Sequence, residues 1–254
     1  MFRKLVSVDE AKGILDQNFA AEPVGIEHVP LSDAYSRVLA TDVISPLDIP
    51  PFDRSTVDGY AVNAADTFGV EETRPVSLRL IGQIRIGELP RVKVKKGTAV
   101  EIVTGAPIPE GADSVVMIEY TDCEGDTVKV HQSVALGENT MKAGSDLHKG
   151  ENVLKKSTLL GPYEVGVLSA IGSVKVAVYR RPRVAVFSTG AELVEPGMSL
   201  TGGKIFDINA YTLSAAVAEC GGEALNMGIV QDQTEQMKTA LKKASSNSDV
   251  IVTS

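Results

Sequence analysis

The sequence contains no tryptophan, two cysteines and three histidines, and it has no long apolar run. Cys123 and Cys220 lie far apart without a CxxC pair, so the sequence predicts neither a zinc cage nor a disulfide framework. No stretch approaches the roughly 18 apolar residues of a membrane-spanning helix. No secretory leader pattern follows Met1. We therefore expect a cytoplasmic protein.

Basic clusters are also missing. The chain has 25 Lys and Arg against 33 Asp and Glu, a net charge of −8, and no stretch rich in both bases and aromatics, which argues against nucleic-acid binding. No GxGxxG follows the apolar run Val184–Phe187, and no GxxxxGK[ST] phosphate loop is present. An anionic substrate is still compatible with this charge if a metal or backbone amides hold it.

The length of 254 residues favours more than one domain. We predict an α/β multi-domain protein with three parts. These are a discontinuous linker or dimerisation domain of helices and strands (residues 1–45 plus 138–180), an inserted small β-rich domain (46–137), and an incomplete doubly wound, three-layer α/β domain (181–254).

Two local patterns near the start predict helices. Ser7 and Glu10 form a capping box, and apolar residues then recur at three- and four-residue spacing as far as Phe19, which indicates an amphipathic helix. A second, short helix is predicted for Ser32–Leu39, ahead of a cluster of prolines.

The last third of the chain predicts a β-α-β-α-β order. Arg183–Phe187 is nearly continuous in apolar residues, as is typical of a parallel strand covered on both faces. The elements predicted after it are a helix Asn209–Cys220, a strand Leu225–Val230, a helix Thr234–Ala244 and a strand Asp249–Thr253. This order is that of an open doubly wound sheet, which binds ligands at the carboxyl ends of its strands.

The stretch PPFDRSTVDGYAV, residues 50–62, combines stiff and turning segments. Pro50 and Pro51 exclude a helix there. Asp58-Gly59 is a strong turn dipeptide, and Tyr60 to Val62 favours a strand. The simplest interpretation is a hairpin connection, and a functional interpretation needs support from elsewhere in the chain.

Several loops carry polar side chains beside glycines at the ends of predicted strands. Each segment alone is more simply a turn or a helix cap, and Asn209 is a good N-cap for the helix that follows it. Loop carboxylates that converge would suit Mg²⁺, although plain surface charge is the competing interpretation for a chain with 33 acidic residues. The loop residues concerned are Asp58, Thr104, Asp146, Glu192, Asp207 and Asp232.

Three long motifs together resemble one family. They are PPFDRSTVDGYAV, TGAPIPEGADSVVMIE (104–119) and RPRVAVFSTGAELVEPG (181–197). The shorter segments GSDL (144–147), IFDINAY (205–211) and GIVQD (228–232) follow in the same order as in that family. The chain thus resembles the molybdopterin molybdenumtransferase family, which is called MoeA in bacteria and the E domain of gephyrin in animals, over nearly its whole length.

This resemblance implies an activity. Enzymes of this kind insert molybdate into adenylylated molybdopterin and release AMP with the help of a divalent cation, here expected to be Mg²⁺. The task brings two anions together and breaks a phosphoric anhydride, so a cation must sit between them. The α/β domain would be MogA-like and would bind molybdopterin.

The resemblance also implies roles for individual residues. The expected catalytic residues are Asp58, Thr104 and Glu192, with Thr104 donating to the pterin or to a phosphate oxygen. The expected metal ligands are Asp58, Asp146, Glu192 and Asp232, and the expected cofactor-binding residues are Ser188, Thr189, Gly190, Asp207 and Asn209.

Partners are implied as well. The resemblance predicts a homodimer in which the β domain of one subunit and the α/β domain of the other share a site. It also predicts contact with a molybdopterin adenylyltransferase and with molybdoenzyme apoproteins, and no nucleic-acid or membrane partner.

The sequence departs from the family pattern at a few positions. Ala191 stands where the family often has an acidic residue, Val57 replaces a common methionine, and Gln231 and Gln233 flank Asp232 where a second aspartate is frequent. Family members continue beyond the last predicted strand with a glycine- and serine-rich loop. We therefore expect the chain to be an N-terminal portion that does not transfer molybdenum by itself.

Two alternatives stay open at this point. One is a non-catalytic scaffold of the gephyrin E-domain type, which would bind a peptide partner without molybdate or Mg²⁺. The other is a different α/β enzyme that acts on another nucleotide.

Overall fold

A computed structural model describes residues 6–254 of the chain. Residues 1–5, which the sequence analysis assigned to the linker domain, lie outside the described residues. The chain divides into two compact units. The first unit contains the described residues up to Thr41 together with Lys155–Ser169 and Ser173–Ser254, and the second contains Asp42–Leu154 and Ala170–Gly172. The predicted α/β multi-domain class is confirmed, and the three domain boundaries stay a prediction.

The secondary structure of residues 6–254 consists of α-helices, strands and short 3-10 helices. The α-helices are α1 (Val8–Asn18), α2 (Pro162–Ala170), α3 (Asn209–Glu219) and α4 (Thr234–Asn247). The strands are β1 (Ile26–Pro30), β2 (Val43–Ile44), β3 (Arg54–Ser55), β4 (Gly59–Val62), β5 (Val76–Ile84), β6 (Thr98–Ile102), β7 (Ser114–Met117), β8 (Thr121–Glu124), β9 (Thr127–Val130), β10 (Thr140–Met141), β11 (Asn152–Leu154), β12 (Lys175–Tyr179), β13 (Arg183–Thr189), β14 (Leu193–Val194), β15 (Ile205–Phe206), β16 (Glu223–Val230) and β17 (Val250–Thr253). The 3-10 helices are Leu31–Asp33, Ala64–Thr67 and Ile118–Tyr120.

Helix α1 begins as the sequence predicts. Ser7 accepts a hydrogen bond from the backbone of Glu10, and the Glu10 side chain accepts one from the backbone of Ser7, so the capping box is confirmed. Its apolar stripe remains exposed, with Leu15 and Phe19 at 64% and 67% of full exposure. No helix among the described residues has the length and apolar character needed to cross a membrane.

The predicted helix Ser32–Leu39 is wrong beyond its first turn. Only Leu31–Asp33 is helical, as one 3-10 turn. Ser36 has a left-handed φ of 60°, which breaks a helix, and its backbone N–H donates to the Leu160 carbonyl. Val38 then forms an isolated bridge with Leu159. The backbone groups are satisfied by pairing across the chain rather than along a helix.

The second unit is built on a six-stranded sheet of order β7-β4-β6-β5-β9-β8. Strand β4 lies between β6 and β7 and is buried along its whole length. Its alternate residues enter different cores, since Tyr60 and Val62 join one buried cluster and Ala61 joins another. The two-residue side-chain period of a strand therefore fills both faces of this sheet.

One hairpin lies in this sheet, and the hairpin predicted at Asp58-Gly59 is wrong. Strands β8 and β9 pair antiparallel around Gly125-Asp126. Asp58-Gly59 does not close a hairpin, because β3 pairs with β10 whereas β4 pairs with β6 and β7. Both partners of β4 come from later in the chain, so the turn carries the chain from one sheet into another.

The first unit contains a parallel sheet of order β16-β13-β17. The predicted β-α-β-α-β order is confirmed, with α3 and α4 in the two crossovers. Strand β13 is central, and Ala185, Val186 and Phe187 are fully buried. Because the three strands are parallel, their carboxyl ends meet at one edge, which we call the carboxyl edge. The antiparallel pair β1-β12 and the parallel pair β14-β15 also belong to this unit.

Candidate functional site

In the second unit, Asp58 and Thr104 are brought together by backbone pairing. The Ser55 backbone N–H donates to the Ala106 carbonyl, and the Gly105 N–H donates to the Ser55 carbonyl. The Ile108 N–H donates to the Asp53 carbonyl, so residues 53–55 run antiparallel to 105–108. Asp58 follows, just before β4. Its Oδ1 accepts hydrogen bonds from the Thr104 backbone N–H at 2.7 Å and from the Thr104 hydroxyl at 2.8 Å.

These bonds keep the exposed Asp58 carboxylate charged. The Thr104 backbone N–H, and after it the Thr104 hydroxyl, lower the pKa of Asp58 below its ordinary value. Because the pKa of Asp58 is lowered in the folded state, the hydrogen-bonded pair contributes stability at pH values above the ordinary carboxyl pKa. That contribution is lost as the pH falls through the lowered value. At neutral pH the group is an anion. Because the hydroxyl proton points to Asp58, donation from Thr104 to a ligand would require this bond to break.

Replacing Thr104 with valine should raise the pKa of Asp58. The variant loses the hydroxyl but keeps the backbone N–H, so the value should stay below that of a free aspartate. Carboxyl-detected NMR titration of both proteins measures it. Asp249 is an internal control, since Arg180 and the Arg183 backbone lower its pKa independently. An unchanged Asp58 titration would contradict the hydroxyl bond.

Asp146 lies in an exposed loop of the same unit. Its backbone N–H donates to the Ile49 carbonyl at 2.9 Å, and the Gly144 N–H donates to the Pro50 carbonyl. These two hydrogen bonds hold the loop against the start of the 50–62 motif. Asp53 strengthens this attachment by accepting from the Lys142 ammonium at 2.6 Å and from the Ala143 backbone at 2.9 Å. No described contact joins the Asp146 and Asp58 side chains.

In the first unit, Ser188 and Asp207 form a buried pair at the end of β13. The Ser188 hydroxyl donates to Asp207 Oδ1 at 2.8 Å, and both residues are at most 3% exposed. The Ala210 backbone N–H also donates to Asp207 Oδ1, at 3.1 Å, so Asp207 caps α3. The prediction that Asn209 would be the N-cap is wrong, because Asn209 is the first residue of the helix. Asp207 Oδ2 is buried without a partner among residues 6–254.

Ser188→Ala is expected to lower the free energy of unfolding by about 1–2 kcal/mol, because the buried Asp207 carboxylate loses a donor. Chemical denaturation followed by circular dichroism measures the change. Ser245→Ala is a matched control on the exposed side of α4, and it should stay within about 0.5 kcal/mol of the parent. Equal losses in both variants would contradict a stabilising role for the buried pair.

The remaining residues of the carboxyl edge surround this pair. The Thr189 backbone N–H and hydroxyl both donate to the Ser254 carbonyl, at 2.7 Å and 3.1 Å, and the Asn209 side chain donates to the Ser254 hydroxyl. Asp232 is exposed in the bend after β16, which the register places beside the end of β13. Ser188, Thr189, Asn209 and Asp232 therefore share one edge.

Glu192 lies just beyond Gly190. A Cβ on Gly190 would lie 2.7 Å from each oxygen of the Glu192 carboxylate, so a larger residue there would displace this side chain. Glu192 is exposed. Its carboxylate forms no hydrogen bond or ion pair within the described part of the chain. Ala191 next to it receives a hydrogen bond at its carbonyl from the Lys204 ammonium.

The predicted metal ligands are divided between the two units, and their role stays a prediction. Within residues 6–254, no group of three or more His, Cys, Asp or Glu side chains is placed to hold a metal ion. The carboxylates of Asp58, Asp146, Glu192 and Asp232 are each exposed. Carboxylate oxygens of this kind fit Mg²⁺, which takes one or two protein ligands and completes its shell with water and phosphate oxygens.

Sequence reasoning passed over two residues near these loops. Asp53 belongs to the same motif as Asp58. Its position shortly after two prolines was the only signal that could have drawn attention to it. Lys204 follows the pair Gly202-Gly203, which indicates a tight turn. Such a turn fixes the direction in which the Lys204 side chain leaves the backbone. Neither signal predicts that Asp53 contacts the Lys142 ammonium or that Lys204 contacts the Ala191 carbonyl.

Two family models match the chain in succession. Residues 6–172 match the MoeA N-terminal region (domain I and II), and residues 185–254 match a probable molybdopterin binding domain. The chain belongs to the MoeA family. The resemblance drawn from its motifs is therefore confirmed.

Individual MoeA relatives agree with this assignment. A molybdopterin molybdenumtransferase 2 of Mycobacterium tuberculosis is 37% identical over 226 residues, which is 89% of this chain and 56% of that protein. A molybdopterin molybdenumtransferase of a Nostoc species is 39% identical over 90% of this chain and 52% of the relative. The chain thus spans about half the length of these curated relatives.

A solved MoeA structure extends the comparison to the fold. The crystal structure of the molybdopterin biosynthesis protein MoeA from Pyrococcus horikoshii OT3 superposes with a TM-score of 0.90 at 40% identity, covering 98% of this chain and 66% of that one. The strand ends that carry Asp58, Thr104 and the Ser188–Asp207 pair thus belong to a fold that this family shares.

Proposed function

We propose that the complete protein containing this chain inserts molybdate into adenylylated molybdopterin and releases AMP, in the last stage of molybdenum cofactor synthesis. The observation that supports this most is that one chain contains both family regions and that its relatives are named molybdopterin molybdenumtransferases. Each region also carries polar side chains held in place at a strand end. The enzyme would be a transferase.

The chemistry needs residues that hold a cation between two anions. Asp58, whose charged form is favoured by the two Thr104 hydrogen bonds, supplies a negative charge in a fixed position, and Glu192 supplies an exposed carboxylate beside Gly190. Asp146 and Asp232 are supporting carboxylates. When bound to these groups, Mg²⁺ would polarise the phosphate oxygens as a Lewis acid.

The carboxyl edge of the first unit would hold the pterin. Open α/β sheets bind ligands at this edge. Ser188 orients Asp207. The Thr189 hydroxyl and the Asn209 amide, which donate to Ser254, lie at the same edge as the Gly190 backbone. These groups bind and orient the ligand rather than react with it.

The proposal extends to assembly and location. Asp58 and Glu192 belong to different units, so we propose a homodimer in which the second unit of one subunit and the first unit of the other complete one site. A molybdopterin adenylyltransferase would deliver the substrate, and molybdoenzyme apoproteins would accept the product. Free thiols at Cys123 and Cys220 suit a cytoplasmic, reducing setting.

The deciding experiment supplies the complete protein with adenylylated molybdopterin and measures AMP by chromatography. Release that depends on both molybdate and Mg²⁺, and that ordinary dinucleotides do not support, is the expected result. AMP release from ordinary dinucleotides would favour a different nucleotide enzyme instead. Peptide binding without any molybdate-dependent AMP release would favour the scaffold alternative.

A further inference from the structure

The capped start of α3 restricts where an anionic ligand can sit. In open α/β sheets, a phosphate commonly binds at a helix N-terminus near the carboxyl edge. Here the Asp207 carboxylate already receives the Ala210 N–H, and its second oxygen is buried without a partner among the described residues. A phosphate at this point would find the Ala210 N–H already bonded to Asp207 and would lie next to that acidic side chain. The α3 end of the edge therefore suits a ligand N–H, which donates.

Lys204 provides a cation at a different point of the same edge. Lys204 is the last residue of the turn Thr201–Lys204, which its backbone N–H closes by donating to the Thr201 carbonyl at 3.2 Å. Gly202 and Gly203 in this turn have left-handed φ values of 58° and 81°. Two consecutive left-handed positions favour glycine strongly, so the turn is well defined. The parallel pairing of β14 with β15 then fixes the turn beside Glu192.

The Lys204 ammonium has donors to spare. One proton is directed to the Ala191 carbonyl, and the ammonium carries three. Lys204 forms no ion pair within residues 6–254, and the Glu192 carboxylate lies against Gly190 instead. Ala191 carries no carboxylate that would neutralise the Lys204 ammonium. A charged donor is thus available at the Gly190–Ala191 turn.

We propose that Lys204 contacts the phosphate of the pterin ligand at the Gly190–Ala191 turn, and that the Asp207 end of the edge faces the N–H groups of the pterin ring. This inference rests on the proposed function. It gives the ligand a direction along the carboxyl edge, and it makes Lys204 a further binding residue.

Fluorescence titration with two probes tests the proposal. The probes are 6-hydroxymethylpterin and its phosphate monoester, which differ only in the phosphate. In the parent protein the phosphate should tighten binding. Lys204→Gln should weaken binding of the phosphate ester about tenfold, as expected for the loss of one charge-assisted hydrogen bond, and should leave the plain pterin unchanged. Lys204→Arg should retain most of the difference between the probes.

Lys242→Gln is the matched control, since it removes the same charge from an exposed position on α4 and should bind both probes as the parent does. A phosphate contribution that survives Lys204→Gln overturns the proposal. Equal weakening of both probes also overturns it, because Lys204 would then act only on local structure. If the parent binds neither pterin, the pterin site of the proposed function fails and this inference fails with it.

Discussion

Asp58→Ala is expected to reduce molybdate-dependent AMP release by at least about 100-fold in the complete protein, a size typical of removing one preorganised charged group from a site. Asp58 is exposed, so truncation leaves no cavity, and the fold should be preserved. Under the proposed function, the loss follows because the negative charge proposed to hold the cation is missing. Glu192→Ala should behave in the same way for the same reason.

Two further variants make this result specific. Asp58→Asn keeps an oxygen that can accept from Thr104 but loses the charge, so it should be as inactive as the alanine variant. Asp126→Ala removes an exposed carboxylate from the β8–β9 turn of the same unit and should leave turnover unchanged. AMP is measured by chromatography and folding by thermal unfolding. Full turnover by Asp58→Ala would end the assignment of this residue.

The sequence predicted best where local pattern and burial agree. The run from Val184 to Phe187 is apolar because β13 is covered on both faces, and its helical neighbours carry apolar positions at helical spacing. The parallel sheet of the first unit follows from these local signals. The capping box of α1 was equally predictable, because both of its hydrogen bonds join residues three apart.

Prediction failed where distant segments compete for the same backbone groups. Asp58-Gly59 has hairpin chemistry, but β4 finds partners around residues 100 and 116 that bury it completely. Ser32–Leu39 has helical residues, but its backbone pairs with the segments near Leu159 and Val178. In both cases the pairing lies far along the chain, and local propensity carries no information about it.

In the candidate site as well, residue types were open to prediction from the sequence, whereas long-range contacts were not. Residue types at strand ends, together with the family resemblance, selected Asp58, Thr104, Ser188 and Asp207 as candidate site residues, and their roles toward a ligand stay a prediction. Their mutual contacts could not be predicted, because Thr104 is separated from Asp58 by 46 positions and Asp207 from Ser188 by 19. In the structure the Thr104 hydroxyl donates to Asp58, and its predicted donation to a ligand stays a prediction.

Gly59→Ala is expected to be among the most destabilising single substitutions of the second unit, lowering its free energy of unfolding by about 3 kcal/mol. A Cβ at this position would lie 1.9 Å from the Val116 carbonyl oxygen. That atom belongs to the backbone of β7, paired with β4, so it cannot move aside as a flexible side chain does. The strand must shift, and Asp58 would shift with it.

Gly125→Ala separates this clash from the general effect of losing a glycine. Gly125 has a left-handed φ of 58° and nothing within 4 Å of the added carbon, so only backbone strain of about 1 kcal/mol is expected there. Urea unfolding of both variants, followed by fluorescence of the tyrosines, measures the two losses. Equal losses would show that the approach of β7 to Gly59 is looser than 1.9 Å implies. A larger loss for Gly59→Ala would instead explain, on steric grounds alone, why a glycine follows the aspartate of this motif.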